Sequence, residues 1–597
     1  LKDKSSGFQL QDARVHWFLL LLWIVIGAGF RLANLTSKAP WTDEFATMVF
    51  SLGHTFNTVP LDQAIALDTL MQPLKADSTA GVSSVIDHIL NEDTHPPLYF
   101  VLAHEWMKLL PLGKDGYISL WAARSLPALF GVVSIPAVYV LSRFAFGSRL
   151  VCQLAAAMMA VSPHGIFQAQ EARHYSLAIV FVIASLTCLV VAAQFLWRRT
   201  PLPIWVALSW VVINSLGIAT HYFFILTLCT EVLVLVGLGW YLRLSNHSPF
   251  SEADGFSKKG HALQWWRLIV VGMGTVAGGL VWLQDWRHTY GSQQTQWIYT
   301  EQQTFLTVIG PFFQALGTWI AMISLLPVES PNLVVVIASG AVMLGFFLWA
   351  LPIFYRGLKV QWQQLETRLG VGILGGVVLG AIAIFFGITY ILGIDLTRGA
   401  RYNFVYFPAV IALVGASLAP AWNNSSVKNS EPILENVSLP LQLLKNKGKR
   451  AVLVVLCMGF LSASTVVCNL GYQKYYRPDF LVPIIQETSQ VPVLIATTHN
   501  TLSQTGELMG IGWEFLSTVP PIKPQFLLAH QEQKRCQGNS CPASIVLQQS
   551  LASLPHPLDV WLVNFHAPTD SIADTCAADS HPSTPINGYH YQLYHCR

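Results

Sequence analysis

Charge is scarce in this chain. Of its 597 residues only 11% are Asp, Glu, Lys or Arg, against roughly a quarter in ordinary soluble proteins. So few charges cannot clothe a water-facing body of this size, which excludes a soluble globular protein. Hydrophobic residues make up 53% of the chain and mean hydropathy is +0.47, so most of it is dissolved in lipid. Net charge is only +3, which excludes a nucleic-acid binder working through bulk charge; the basic residues inform by position instead. Repeats and low-complexity tracts of the soluble kind are also lacking. Cysteines are few and unevenly placed. Cys152, Cys188, Cys229, Cys457 and Cys468 sit in apolar runs and read as inert fillers. Cys536, Cys541, Cys576 and Cys596 lie in a polar tail, where four cysteines imply two disulfides and an oxidising compartment. Three pairings are possible; 536–541 with 576–596 is the working choice.

What is present is a series of apolar runs near the length of about 20 residues that a span requires. They fall near 16–35, 119–142, 150–166, 176–197, 203–219, 223–242, 267–284, 332–354, 369–392, 404–420 and 451–468. "PPLYFVLAHEWMKLL" is short and carries His104, Glu105 and Lys108, so it reads as a surface helix. The run 304–327 is long enough to cross, and sidedness decides against it. Basic residues collect on the cytoplasmic side. Lys2, Lys4 and Arg14 place the N-terminus inside, and Arg143, Arg149, Arg198, Arg199, Arg243, Lys258, Lys259, Arg356, Lys359, Lys445, Lys447, Lys449 and Arg450 mark later inside loops. All agree if 304–327 is re-entrant or interfacial. The expectation is a mainly α, multi-pass inner-membrane protein with about eleven spans, its N-terminus cytoplasmic. Residues 1–468 form the membrane domain, with the long first outside loop at 36–118. A small α/β domain at 469–597 lies outside; its strand-like runs are "VPVLIATT", "PQFLLAH", "LDVWLVNF" and "YHYQLYHC". The loop 421–450 is polar and reads as loosely ordered.

With sidedness set, the polar outliers fall on one face. Asp43 and Glu44 follow the first span in "WTDEF". "NEDTHPP" supplies Glu92, Asp93 and His95. "QAQEARHYSL" supplies Glu171, Arg173, His174 and Tyr175, "ATHYFF" supplies His221, and "DLTRGARYNF" supplies Asp395, Arg398, Arg401 and Tyr402. Acids and arginines at that depth are expensive unless they pair or do work. A carboxylate there can take a proton from an acceptor hydroxyl or amine. Arginines can hold a phosphate in a bidentate fork and stabilise it as it leaves. Sugar transfer from a lipid-linked donor fits that set, and a lipid carrier explains a site at the membrane surface. Two adjacent acids also permit a division of labour, one as base and the other orienting a metal, an arginine or the acceptor.

The order of these pieces resembles the GT-C superfamily of polyprenyl-phosphate-sugar transferases, and within it the protein O-mannosyltransferases, the lipid A aminoarabinose transferases and their bacterial relatives. The matching pieces are "WTDEF", "THPPLYF", "AARSLPALFGVVSIPAVYVLSRFAFG", "QAQEARHYSL", "THYFF" and "RGARYNFVYFPA", threading most of residues 15–420. The resemblance implies an inverting transfer on the periplasmic face from a sugar on a polyprenyl phosphate. It implies Asp43 as the base, with Arg173 and Arg401 as phosphate contacts. His95 stands where some relatives carry a donor-contacting lysine. The acceptor is left open among protein, lipid and glycan. Some relatives use a divalent ion, for which Asp43, Glu171 and His95 are suitable ligands, though no spacing here forces one. The tail lies outside the matched pattern.

Each residue also has an ordinary role to weigh. Thr42 and Asp43 are good helix caps, His95 before Pro96 and Pro97 suits a helix start, and Arg173 can pair with Glu171 or Asp43. Arg398 and Arg401 can snorkel to headgroups, His221 can be packed at the interface, and Tyr175 and Tyr402 suit an aromatic belt. Two rival functions are a transporter or lipid flippase, and a catalytically silent glycan-binding scaffold. Transporters tend toward internal repeats and broken helices near the midplane, whereas here the polar residues gather at one surface.

Overall fold

The computed structural model of the chain describes residues 13–244, 258–283, 297–299, 305–423, 447–517, 523–531, 541–573, 575–580 and 585–597. Lys2, Lys4, Cys536 and most of the polar loop 421–450 lie outside the described residues. In chain order the helices are α1 (Ala13–Leu32), α2 (Thr42–Ser51), α3 (Val82–Glu92), α4 (Leu98–Lys108), α5 (Leu120–Phe146), α6 (Arg149–Val161), α7 (Pro163–Ala169), α8 (Tyr175–Trp197), α9 (Ile204–Thr220) and α10 (Phe224–Leu244). They continue as α11 (Lys258–Leu280), α12 (Phe305–Ile323), α13 (Leu333–Gln363), α14 (Leu365–Leu392), α15 (Phe407–Asn423), α16 (Lys447–Val467), α17 (Pro478–Thr488), α18 (Leu502–Ser517) and α19 (Pro542–Ser553). The strands are β1 (Ala64–Ala66), β2 (Val493–His499), β3 (Gln525–His530), β4 (Leu558–Val563), β5 (Cys576–Ala578) and β6 (Tyr591–Cys596).

Two compact units result. The helical unit is drawn from the described residues within 13–35, 125–283 and 297–472, and the sheet unit from those within 36–124 and 473–597. The first outside loop, which the sequence groups with the membrane domain, thus packs in one unit with the C-terminal segment.

The helical unit is a bundle whose outer surface is apolar. Trp17, Leu208, Val281 and Leu379 all stand exposed on it, as expected where lipid is the solvent. Among the described residues, seven helices are long and apolar enough to cross a membrane, or eight if the bent pair α6–α7 is one span. The spans expected at 203–219, 267–284 and 404–420 are present as shorter apolar helices, as is the run at 304–327. The 404–420 span is shortened because residues Ala400–Val405 wind as a 3₁₀ turn before α15 begins.

The break between α6 and α7 shapes the bundle, the two helices meeting at 56°. Pro163 has no N–H to return to the carbonyl of Met159, so the helix cannot run through. Arg31, fully buried on α1, repairs the gap: Nη2 donates to Met159 O at 2.8 Å and Nη1 to Ala160 O at 3.1 Å. Ser162 restarts α7 by accepting from the backbone N–H of Gly165. The reorientation carries the chain into the turn that bears Glu171, Arg173 and His174.

The sheet unit is built on six strands in the order β1-β3-β2-β4-β6-β5. β2 runs parallel to both β3 and β4, and the other pairings are antiparallel. β2 and β4 are buried along their whole length, which explains why apolar residues predominate in both. One face packs Leu494, Leu527, Leu547, Leu551 and Val560 into a single core. The four strand-like runs of the tail became β2, β3, β4 and β6. β1 was not foreseen: it comes from the first outside loop and pairs Ala64–Ala66 with Gln525–Leu527. The short apolar run after His95 forms α4, which buries Tyr99, Phe100, Ala103, His104 and Met107. Cys576 and Cys596 form a disulfide, and Cys541 is also disulfide-bonded. The pairing expected for Cys541 falls on Cys536, outside the described residues.

Candidate functional site

In the sheet unit the two acids opening α2 have separate surroundings. The helix is capped by Trp41, whose side chain makes no cap bond, so Asp43 stands at its second position rather than as a cap. Carboxylates in a first turn are favoured by the helix dipole. Asp43 is half-buried, while Glu44 is fully buried. Arg124, in the first turn of α5, grips Glu44 with a fork: Nε and Nη2 donate to Oε1 and Oε2, each at 2.8 Å. Its Nη1 donates to the carbonyl of Lys38 at 2.9 Å, fixing the chain just before α2. Lys474 Nζ stands 3.6 Å from Glu44 Oε2 and 5.4 Å above the Trp41 ring. A buried carboxylate needs such compensation, and the result is a rigid seat beside Asp43. His95 Nδ1 pairs with Asp93 Oδ1 at 2.9 Å, and the same oxygen accepts from the N–H of Thr94. Glu92 bonds Thr55 and His88, closing the loop around α3.

In the helical unit the basic and aromatic candidates converge. The turn 170–174 is tied down at both ends. Gln170 Nε2 donates to Phe30 O and Ala33 O at 3.0 Å, and Ser176 Oγ donates to Gln168 O at 2.9 Å. Gln168 Nε2 in turn donates to the carbonyl of Arg401 at 2.9 Å, linking the two arginine-bearing turns. Glu171 and Arg173 are buried. The Arg173 guanidinium lies 6.0 Å from the Tyr175 ring centre. His174 and His221 rings are 4.6 Å apart, Tyr175 and His221 5.6 Å, and His221 and Tyr402 6.3 Å. The Arg401 guanidinium sits over Trp297 at 5.3 Å and Tyr402 at 5.6 Å, a cation–π arrangement. Arg398 is used differently: Nε lies 3.3 Å from Asp395 Oδ2 and Nη1 donates to Trp297 O at 2.7 Å, bracing the loop. A small cavity of about 10 Å³, room for one water-sized group, lies beside this loop and is lined by Thr318, Trp319, Phe385, Asn403 and Tyr406.

The structure therefore gathers Glu171, Arg173, Tyr175, His221, Arg401 and Tyr402 in the helical unit, and holds Asp43, Glu44 and His95 in the sheet unit. Reading the sequence missed Arg31, Arg124, Lys474 and Trp297. For Arg31 and Arg124 a signal existed, since each is a lone guanidinium at the end of an apolar run. It missed Glu231 too, a buried acid on α10 whose Oε1 lies 2.7 Å from Ser185 Oγ. Ser185 also bonds Trp210 and Asn214, and Asn214 bonds Thr275, so the group ties four helices together. Such a set can bind a phosphorylated lipid and stack sugar rings in the helical unit, and offers a carboxylate base in the sheet unit.

No protein-family model matches the chain, and no curated protein matches it in sequence. Solved structures similar to it are GT-C glycosyltransferases. ArnT from Cupriavidus metallidurans, solved with undecaprenyl phosphate, shares 11% identity at a TM-score of 0.46, covering 98% of this chain and 97% of that one. The oligosaccharyltransferase of Archaeoglobus fulgidus in its apo form shares 12% identity at 0.45, covering 93% and 70%. Arabinofuranosyltransferase AftD from Mycobacteria shares 12% at 0.42, covering 98% and 40%. Likenesses this distant carry no argument about function, which rests on the residues above.

Proposed function

We propose that the chain is an integral-membrane glycosyltransferase that moves a sugar from a polyprenyl phosphate to an acceptor on the periplasmic face. The observation that supports this most is the cluster of Arg173, Arg401, His174 and His221 with Tyr175, Tyr402 and Trp297 at the ends of lipid-facing helices. Two guanidinium groups among aromatic faces suit a phosphate on a lipid carrier with a sugar attached. The acceptor oxygen or nitrogen attacks the anomeric carbon, and its proton passes to Asp43. The bond from that carbon to the phosphate oxygen breaks, and polyprenyl phosphate leaves with the electron pair, its charge held by Arg173 and Arg401. Attack opposite the leaving group inverts the anomeric centre. Glu44 is read as orienting rather than reacting, because Arg124 occupies both its oxygens. Arg398 is read as a brace. These steps use only the chain's own residues.

The test is an assay of undecaprenyl-phosphate hexoses in cell membranes, which supply acceptors, following release of undecaprenyl phosphate. Asp43→Asn should lower turnover by about 10²–10⁴-fold while leaving donor-dependent thermal stabilisation intact. Arg401→Ala should weaken that stabilisation. Turnover by Asp43→Asn at the wild-type rate would remove Asp43 as the base.

A further inference from the structure

The C-terminal segment has no role in the proposal above, yet its helix α18 lies against the helix that carries Asp43. The approach is closest at Gly506. A Cβ there would stand 2.9 Å from Thr42 Cγ2, 3.4 Å from Thr42 Cα and 3.5 Å from Thr42 O. Thr42 is the first residue of α2 and Asp43 the next. One turn further along α18, a Cβ on Gly510 would meet Phe45 and Tyr589 at 3.8 and 3.7 Å, ordinary contact. Phe45, fully buried, then sets its ring edge against Trp513, with centroids 6.2 Å apart. Residues 506, 510 and 513 share one face of α18, so this face is shaped to take the first turn of α2 at near-backbone distance.

α18 is itself fixed to the sheet. His499, ending β2, bonds Thr505 at 3.1 Å. Glu507 accepts from Tyr476 at 2.6 Å and from Asn564, just past β4, at 3.4 Å. Burial pushes the Glu507 carboxyl above its ordinary range. At the other side of α2, Lys474, also from the C-terminal segment, reaches Glu44 and Trp41. The first turn of α2 is therefore held between two parts of that segment.

We infer that the C-terminal segment serves catalysis by positioning Asp43, with Gly506 as a positioning residue that lets α2 seat at its working distance. The inference rests on the reading of Asp43 as the base. A displacement of about 1 Å at a reacting group lowers rates by roughly 10²-fold, so a shift of a few tenths of an ångström at Thr42 is expected to show in turnover.

The experiment uses the full chain in membranes with an undecaprenyl-phosphate hexose. Gly506→Ala should lower turnover roughly tenfold with half-saturation for the donor, donor-dependent thermal shift and protein amount unchanged. Thr42→Ser removes the methyl that the new Cβ meets; alone it should act like the wild type, and combined with Gly506→Ala it should restore turnover. Gly510→Ala, which makes the same chemical change where space exists, should act like the wild type. A merely structural role for Gly506 would lower protein amount and melting temperature instead, and that result overturns the inference. Wild-type turnover by Gly506→Ala overturns it too, and leaves Asp43 as the base if Asp43→Asn is inactive. If Asp43→Asn is active, the reading beneath the inference fails instead.

Discussion

Arg31 shows how a charge in an apolar helix is explained by a proline 132 positions away in sequence. The guanidinium serves the carbonyls of Met159 and Ala160, and also Gly27 O in its own helix. Proline makes the demand by lacking an N–H, and arginine meets it because its fork carries several donors in one plane. Arg31→Met keeps most of the stem and removes the donors. It should cost about 1–3 kcal/mol for each carbonyl left buried without a donor, read as a lower melting temperature in detergent. Arg31→Lys should recover part of the loss, because one ammonium can reach one of the two oxygens. Wild-type melting by Arg31→Met would show that the carbonyls find other donors. Neither this bond nor the Arg124–Glu44 fork could be read from sequence, since both depend on which helices become neighbours.

Elements are decided where helix meets helix. On α13 a Cβ at Gly357 would lie 1.8 Å from the carbonyl oxygen of Ser417 on α15. A backbone oxygen inside a helix cannot swing aside, so Gly357→Ala must part the two helices or unwind one. Overpacking of this kind typically costs about 1–3 kcal/mol, and the expected sign is a loss of monodisperse protein in size-exclusion profiles. Gly345→Ala, on the same helix but with nothing within 4 Å, should give a wild-type profile; equal behaviour of the two would deny a close α13–α15 contact. The long helices were legible as elements, because an apolar run in so charge-poor a chain has few alternatives to a helix, whereas the short strand β1 was not. Element ends were less legible. The start of α15 moved because Tyr402, Asn403 and Tyr406 are engaged in a 3₁₀ turn and its side-chain bonds. The one-residue shift that makes Trp41 the cap of α2, and places Asp43 inside the helix, depends on bonds from Glu44 N and Phe45 N to Trp41 O. The sequence named the candidate residues by type; their neighbours Arg124, Lys474 and Trp297 could not be read from it, because each comes from a segment distant in sequence.

At the scale of the whole molecule, one pairing constrains the topology. β1, from residues 64–66, bonds β3, from residues 525–530, in a single sheet. Both must lie on the same side of the membrane, so the chain crosses an even number of times between them. Counting α6–α7 as one, the candidates among the described residues of that interval are α5, the bent pair, α8, α9, α10, α11, α13, α14, α15 and α16, which make ten, and α12 would make eleven. If the ten cross, α12 does not, which is also where charge sidedness pointed. α12 carries Pro311 and shows Phe305, Phe312 and Phe313 on its exposed side, as suits a helix lying in an interface. Labelling single cysteines on a background without the free native ones tests this. Asp77→Cys, Tyr299→Cys and Glu329→Cys should all react with a membrane-impermeant maleimide in intact spheroplasts, and Arg198→Cys only after permeabilisation. If positions 299 and 329 label from opposite sides, α12 crosses. The shared sheet would then require one of the ten others to stay out of the bilayer, and the short helices α9, α11 and α15 would be the first to probe.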